Sequence, residues 1–318
     1  MKKLAILSIM PILALTACEW QGQHDDHKPE RELNIVCPTG APAVAFYKYA
    51  NKSNFVTNSV PTNISTYFST GEADVIVMDT TSGIQAIANG AQYKIGATIT
   101  LGNFYLVSTD ENNLEVDVDD VVVLFGNAAA VPNKLFTYIY GADYTVEYTG
   151  GGVAKAAQTL NTGVNAATGH KADWVFIAEP YLYATKNNEN SIIHNKNVPI
   201  INIQEEYQKK ATNLPLMQAS VFIKNTVEQD MGDKFLASLK KDIEEAIADP
   251  VQMMEYMKLA GEDQVVESKF GVEAKTAMNV MRTNGLGLGF LPSIENKTAI
   301  DHYLGLFGIA KTNATYIW

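Results

Sequence analysis

Between Leu33 and Pro180 short apolar runs alternate with amphipathic helical segments, and this alternation limits the fold more than any other feature. The run Leu33–Cys37 leads through Pro38-Thr39-Gly40-Ala41-Pro42 into a helix expected at Ala43–Ala50. A helix at Ser65–Thr70 stops at Gly71, and a strand follows at Asp74–Met78. The turn Asp79-Thr80-Thr81-Ser82 then opens a helix over Gly83–Asn89 that ends at Gly90. Further strands are expected at Ile95–Ile99, Phe104–Ser108, Val121–Phe125, Thr145–Tyr148, Trp174–Ile177, Ile192–Ile193 and Ala219–Ile223. After the last of these, helices at Met231–Ala248 and Val251–Leu259 open a tail expected to be wholly helical. Strands alternating with helices build α/β sheets, mainly parallel, with helices on their faces. The alternation falls into two blocks, Leu33 to about Val107 and about Val121 to Pro180, so two open sheets are expected to face each other across a cleft. Ligands in such folds collect beyond the carboxyl ends of the strands, at the loops that open helices.

Ahead of this pattern stands a different one. Met1-Lys2-Lys3 is basic, Leu4 to Leu15 is apolar, and Leu15-Thr16-Ala17-Cys18 ends the run. A positive start, a short apolar core and small residues at a cut are the layout of a secretory signal. The run is too short to cross roughly 30 Å of hydrocarbon, which takes about 20 residues. Leu-Thr-Ala-Cys resembles the lipobox of bacterial lipoproteins, which would make residues 1–17 a signal peptide and Cys18 the lipidated (palmitate-bearing) first residue of the mature chain. An ordinary signal or short anchor with an incidental cysteine is the competing reading. Residues 18–32 are polar, without periodicity, and read as a flexible tether. His24 and His27 beside Asp25 and Asp26 read as solvated spacer, since nothing there fixes coordination geometry. With Cys18 carrying lipid, Cys37 has no partner for a disulfide and reads as a small buried hydrophobe.

Charge excludes one class of partner. Lys+Arg number 24 against Asp+Glu 35, a net charge of -11, so nucleic acid, which is held through basic patches, is not expected. Nor is there a polybasic footing on a membrane, so attachment would rest on the lipid, with about 0.8 kcal/mol per buried CH2 and more than one acyl chain for stable anchoring.

Five segments, in order, carry a family resemblance. Ser69-Thr70-Gly71-Glu72-Ala73-Asp74-Val75, Asn89-Gly90-Ala91-Gln92-Tyr93-Lys94, Gly102-Asn103-Phe104-Tyr105-Leu106-Val107-Ser108, Ala178-Glu179-Pro180-Tyr181 and Leu214-Pro215-Leu216-Met217-Gln218-Ala219-Ser220-Val221 resemble the substrate-binding lipoproteins of ABC importers, in the group related to nitrate, taurine/sulfonate and thiamine-precursor binding proteins. The resemblance spans nearly all of Leu33–Phe307. It implies a two-lobed type II periplasmic-binding-protein fold, with lobe one at 33–107 and 220–318, lobe two at 108–219, and two crossings that act as hinges. It implies a lipid-anchored monomer on the extracytoplasmic face of the cell membrane, no cofactor and no catalysis. The partners would be a small organic solute, an ABC permease and its ATPase.

Candidate ligand-binding residues follow from loop position and from that resemblance. Thr39, Gly40 and Ala41 open a helix with backbone N–H groups and a hydroxyl; Thr80, Thr81 and Ser82 do the same at the next strand-to-helix turn. Asn103, Phe104 and Tyr105 lie where the chain approaches its first crossing, Gly126, Asn127 and Ala128 in the lobe-two loop, Glu179, Pro180 and Tyr181 at the Glu-Pro turn, and Gln218 at the return strand. Helix capping and core packing compete for each. Where family members carry Gly-x-Gly-Ser/Thr, this chain has Phe125-Gly126-Asn127-Ala128-Ala129-Ala130-Val131-Pro132, which weakens the case for a strongly anionic solute. Arg31 falls in the tether, which leaves Arg282, in Met281-Arg282-Thr283-Asn284, as the arginine able to grip an acid in the cleft. With Arg282 on the surface instead, a neutral or cationic heterocycle becomes the expected solute.

Two other functions share this fold: a sensor or adhesion lipoprotein without a transporter, and an enzyme of vitamin-precursor synthesis. No Gly-x-Ser-x-Gly, Walker loop, zinc spacing or Cys-His pairing is visible, and His170 and His194 stand isolated.

Overall fold

The computed structural model describes residues 32–318; the expected signal, Cys18 and the tether up to residue 31 lie outside the described residues. Eleven strands form two sheets among the described residues: β1 (Ile35–Pro38), β2 (Phe55–Asn58), β3 (Val75–Asp79), β4 (Tyr93–Thr100), β5 (Phe104–Ser108), β6 (Val121–Leu124), β7 (Thr145–Tyr148), β8 (Trp174–Ala178), β9 (Ile200–Asn202), β10 (Ala219–Lys224) and β11 (Leu288–Pro292). The first sheet has the order β11-β4-β10-β3-β1-β2 and the second β7-β6-β8-β5-β9.

The expected two α/β lobes are there, with mixed rather than mainly parallel pairing. β1 runs parallel to β2 and β3, and β6 parallel to β7 and β8. β10 runs antiparallel to β3 and β4, and β5 antiparallel to β8 and β9. The reason is geometric: β5 and β10 each begin just after a crossing, so each enters its sheet from the cleft end and runs against its neighbours. β5 pairs wholly in the second sheet, so the first crossing lies at 101–103, earlier than the expected exit near Ser108. The return passes from helix Ile203–Lys210 to β10 at Ala219.

Several local expectations change. The strand expected at Ile192–Ile193 is β9, eight residues later; Ile193 is instead fully buried in a turn, and the Ile192 N–H donates to Asn161 O (2.9 Å). Two adjacent isoleucines mark burial without deciding how. The tail is not wholly helical: β11 pairs with β4 through an irregular register, and Ile317 bridges Ile95. β11 and β2 are short edge strands, where glycine, proline and polar residues are tolerated and the apolar signal is weak. The helix expected at 43–50 is a four-residue turn, Ala41–Val44, followed by a 3-10 turn at Tyr47–Tyr49. The helix ending at Thr70 starts at Pro61, with proline in its first turn, and closes on Gly71 in the left-handed region (φ 67).

The crossing at 101–103 is held by close backbone contact. Leu101 N–H donates to Gly287 O (2.8 Å), and a Cβ on Gly287 (φ +63) would sit 1.9 Å from Gly102 O. Both glycines are required there by φ and by space. One apolar cluster joins the lobes beneath the cleft, with Ile76, Met78, Phe222 and Tyr303 from one side and Phe104, Phe136, Phe176 and Tyr207 from the other. Tyr138 Oη and His302 Nε2 add a hydrogen bond across it (3.0 Å). Cys37 is fully buried, and burial pushes its thiol well up.

Candidate functional site

The carboxyl ends of β1, β3, β6 and β8 all open onto one cleft of about 970 Å³. Each strand end is followed by residues of its wall: Pro38 to Pro42 after β1, Asp79, Thr81 and Ser82 after β3, Phe125 after β6, Glu179 to Tyr181 after β8. This is the place that open α/β sheets offer a ligand.

The wall after β3 is built by helix capping. Asp79 is the N-cap of helix Thr80–Ala88: its Oδ1 accepts from Ser82 N–H (3.0 Å), from the Ser82 hydroxyl (3.3 Å) and from the Thr81 hydroxyl. Burial raises the Asp79 carboxyl above its ordinary value, and these hydrogen bonds oppose that rise. Glu179 does the matching job in the other lobe, with Oε2 accepting from Tyr183 N–H (2.8 Å) at the start of helix Tyr181–Lys186. Burial pushes Glu179 up to about 7, with that hydrogen bond and Lys186 pulling the other way.

Asn103 ties the two crossings together. Its Nδ2 donates to Glu179 O (2.6 Å), and its Oδ1 accepts from Gln218 Nε2 (3.3 Å). Gln218 O in turn accepts from Thr80 N–H (3.0 Å). A continuous chain of polar contacts therefore runs from the Asp79 turn through Gln218 and Asn103 to Glu179. Gln218 Oε1 is buried and has no partner among the described residues.

Of the residues singled out in the sequence, Thr39, Gly40, Ala41, Thr81, Ser82, Asn103, Phe104, Glu179, Pro180, Tyr181 and Gln218 line the cleft. Six do not. Thr80 is fully buried behind the wall, its hydroxyl 2.7 Å from that of Ser220, which lies 2.8 Å from that of Thr98. Tyr105 follows Phe104 on β5, and alternation along a strand sends Phe104 to the cleft and Tyr105 to the opposite face, against the outer core. Gly126 gives its N–H to Gly151 O (2.7 Å) in the loop below. Asn127 and Ala128 are exposed, and Asn127 Oδ1 accepts from Ala129 N–H (2.8 Å). Arg282 is exposed at the end of helix Ala274–Met281, away from the wall.

Sequence reading missed much of the wall's apolar half. Val153, Phe307, Ile309 and Lys134 line it beyond the residues and loops that the sequence singled out, and Phe104, Phe125, Val131 and Pro132 complete the apolar face. Asp79 was legible as an N-cap, since Asp followed by three hydroxyl residues opens a helix. Phe307 and Ile309 come from the far end of the chain and carried no signal.

No protein-family model matches the chain, and no curated protein matches it. Solved structures do. An ABC transporter structure from Parabacteroides distasonis is similar over 90% of this chain and 98% of its own, at 17% identity and a TM-score of 0.70. The periplasmic aliphatic sulphonate binding protein SsuA from Escherichia coli is similar over 90% of this chain and 91% of its own, at 14% identity and a TM-score of 0.60. A Candida albicans gene product described as exhibiting the generic periplasmic binding protein fold matches over 90% and 93%, at 12% identity and a TM-score of 0.51. These likenesses show the fold: the chain has the two-lobed fold of the periplasmic binding proteins, and its solved neighbours include the group that the sequence resembles.

Proposed function

We propose that this chain is an extracytoplasmic receptor for one small organic solute, held at the cell membrane through lipid on Cys18. It delivers that solute, without chemical conversion, to an ABC permease and its ATPase. The observation that carries the reading is the cleft itself: one cavity walled by strand ends of both sheets, with both crossings joined by Asn103 at its base. A ligand seated there touches both lobes, so it makes more contacts when the lobes approach than when they part, and binding shifts the population toward closure. A micromolar solute supplies about 8 kcal/mol, part of which goes into that shift. The division at 33–107 with 220–318 against 108–219 is refined in this reading, with the change of lobe at 101–103 and again before Ala219.

Native mass spectrometry of protein purified without refolding tests the reading. One small molecule per chain is expected, and its removal should lower the melting temperature. Melting that ignores every solute screened would refute it. Turnover of the bound compound would favour the enzyme instead.

A further inference from the structure

We infer that the cleft recognises its ligand through the ligand's N–H groups: a flat organic cation whose donors meet Asp79, Glu179 and Gln218. This inference rests on reading the cleft as the solute site and adds the ligand's chemical class.

Three observations carry it. The first is charge. Among the residues lining the cleft the charged ones are Asp79, Glu179 and Lys134, so acids outnumber bases. The second is the use already made of the donors. An anion would look for N–H and hydroxyl groups at the helix starts; the chain's own acceptors hold those after β3 and β8, while helix Val131–Tyr140 starts without a side-chain cap. Ser82 N–H and the Thr81 and Ser82 hydroxyls go to Asp79, Tyr183 N–H goes to Glu179, and Gly40 N–H goes to Phe270 O (2.7 Å). The niche an anion would fill at helix Thr80–Ala88 holds a protein carboxylate. The third is the acceptors left over. The Tyr183 N–H goes to Glu179 Oε2 and leaves Oε1 for a ligand, and Gln218 Oε1 is buried without a partner among the described residues.

The orientation of Gln218 is set by its neighbours. Asn103 Nδ2 must face Glu179 O (2.6 Å), which leaves Asn103 Oδ1 toward Gln218 and so requires the Gln218 amide to present its nitrogen there. Its oxygen is then the group turned elsewhere. Buried acceptors without donors are costly, and a site built on them rejects ligands that lack matching donors. The burial that raises both carboxyls adds to that demand, since an N–H-bearing cation compensates the ionised form. Flat shape follows from the rings on the wall: Phe104 and Phe125, 6.1 Å apart between centroids, and Phe307 and Tyr181.

The test is titration calorimetry of the full chain in detergent at pH 8 with three isosteric probes: benzamidinium, benzamide and benzoate. Benzamidinium is expected to bind one per chain and at least tenfold more tightly than benzoate, with benzamide between. Asp79→Asn and Glu179→Gln keep size and shape, and each is expected to weaken benzamidinium at least fivefold while circular dichroism stays unchanged. Equal or tighter binding of benzoate would overturn the inference, as would a benzamidinium preference that survives in the double variant or failure of all three probes. A co-purified solute without N–H donors would sink this inference and leave the receptor reading intact; absence of any solute response would sink both.

Discussion

The turns after β3 and β6 face the cleft from opposite lobes. Each follows a strand with a parallel neighbour, borders the cleft and opens a helix of similar length, nine residues after β3 and ten after β6. Their chemistry differs. After β3, Asp79 caps the helix and gathers three donors, so the surface offers a carboxylate with hydroxyls around it. After β6 the N-cap is Ala130, with no side-chain cap, and the residues facing the cleft include Phe125, Val131 and Pro132. In our proposal the first wall selects by hydrogen bonding and the second covers the ligand with apolar surface, at roughly 25 cal/mol per Å² buried. The contrast teaches that hydrogen bonding and apolar cover are divided between these two turns.

The comparison breaks most visibly if the apolar wall is not also core. Phe104 is 5% exposed, with ring centroids 6.1 Å from Phe125 and 5.5 Å from Phe176. Phe104→Ala should cost about 3–5 kcal/mol in denaturant unfolding. Ser82→Ala, on the polar wall, should cost less than about 1 kcal/mol, because Asp79 keeps the Ser82 N–H and the Thr81 hydroxyl. Similar losses for the two variants would erase the distinction.

Glu179 sharpens the comparison from the other side. Its folded value of about 7 lies above the ordinary 4.5, so between those pH values the native state holds the proton more tightly than the unfolded chain. The penalty is therefore absent below the lower value, grows as pH rises through the window and is complete above about 7. The charged and titratable groups around it are Tyr105 on β5 and Lys186 on its own helix. Glu179→Gln should stabilise the ligand-free protein by up to about 3 kcal/mol at pH 8, a gain that fades toward pH 4.5. The glutamine oxygen can still accept from Tyr183 N–H. Thermal melts at the two pH values check it, and a destabilised variant at pH 8 would show that the carboxylate is compensated within the empty cleft. Stability gained with affinity lost is the pattern expected of a binding group kept at a cost.

The sequence carried the interior of the fold better than its margins. β3 reads as Val-Ile-Val-Met, apolar throughout, because a strand covered on both faces needs nothing else. β2, β9 and β11 lie at sheet edges, where fewer neighbours demand apolar residues, and each was missed or displaced, while β7, the remaining edge, was expected at its observed bounds. The same logic governs the cleft. Polar residues at turns announced themselves, since Asp, Thr, Ser, Glu and Asn beside a helix start are few and positioned. The apolar wall announced itself less: Phe104 reads equally as core or cleft to any local pattern, and Phe307 reads as core. Only the pairing of β5 with β8, and the folding back of the tail, turn them toward a ligand. Arg282 shows the converse: an arginine rare enough to attract notice, placed by its helix at the surface.

The smallest effect is the most direct test of the contrast between the two turns. Ala130 has φ -73 and ψ 159, the extended geometry that a capping residue adopts, yet it offers no oxygen to helix Val131–Tyr140. Ala130→Ser places a hydroxyl where Asp79 places its carboxylate in the other lobe, within reach of the first-turn N–H groups. Serine in place of alanine at an N-cap is worth about 1 kcal/mol, so the variant should melt at a slightly higher temperature. It also makes the second wall more polar, and in our proposal apolar cover drives closure. Solute affinity should therefore stay level or fall slightly while stability rises. A variant that gains both would mean that the second turn contributes a hydrogen bond to the ligand after all, and that the division of labour between the two turns is wrong.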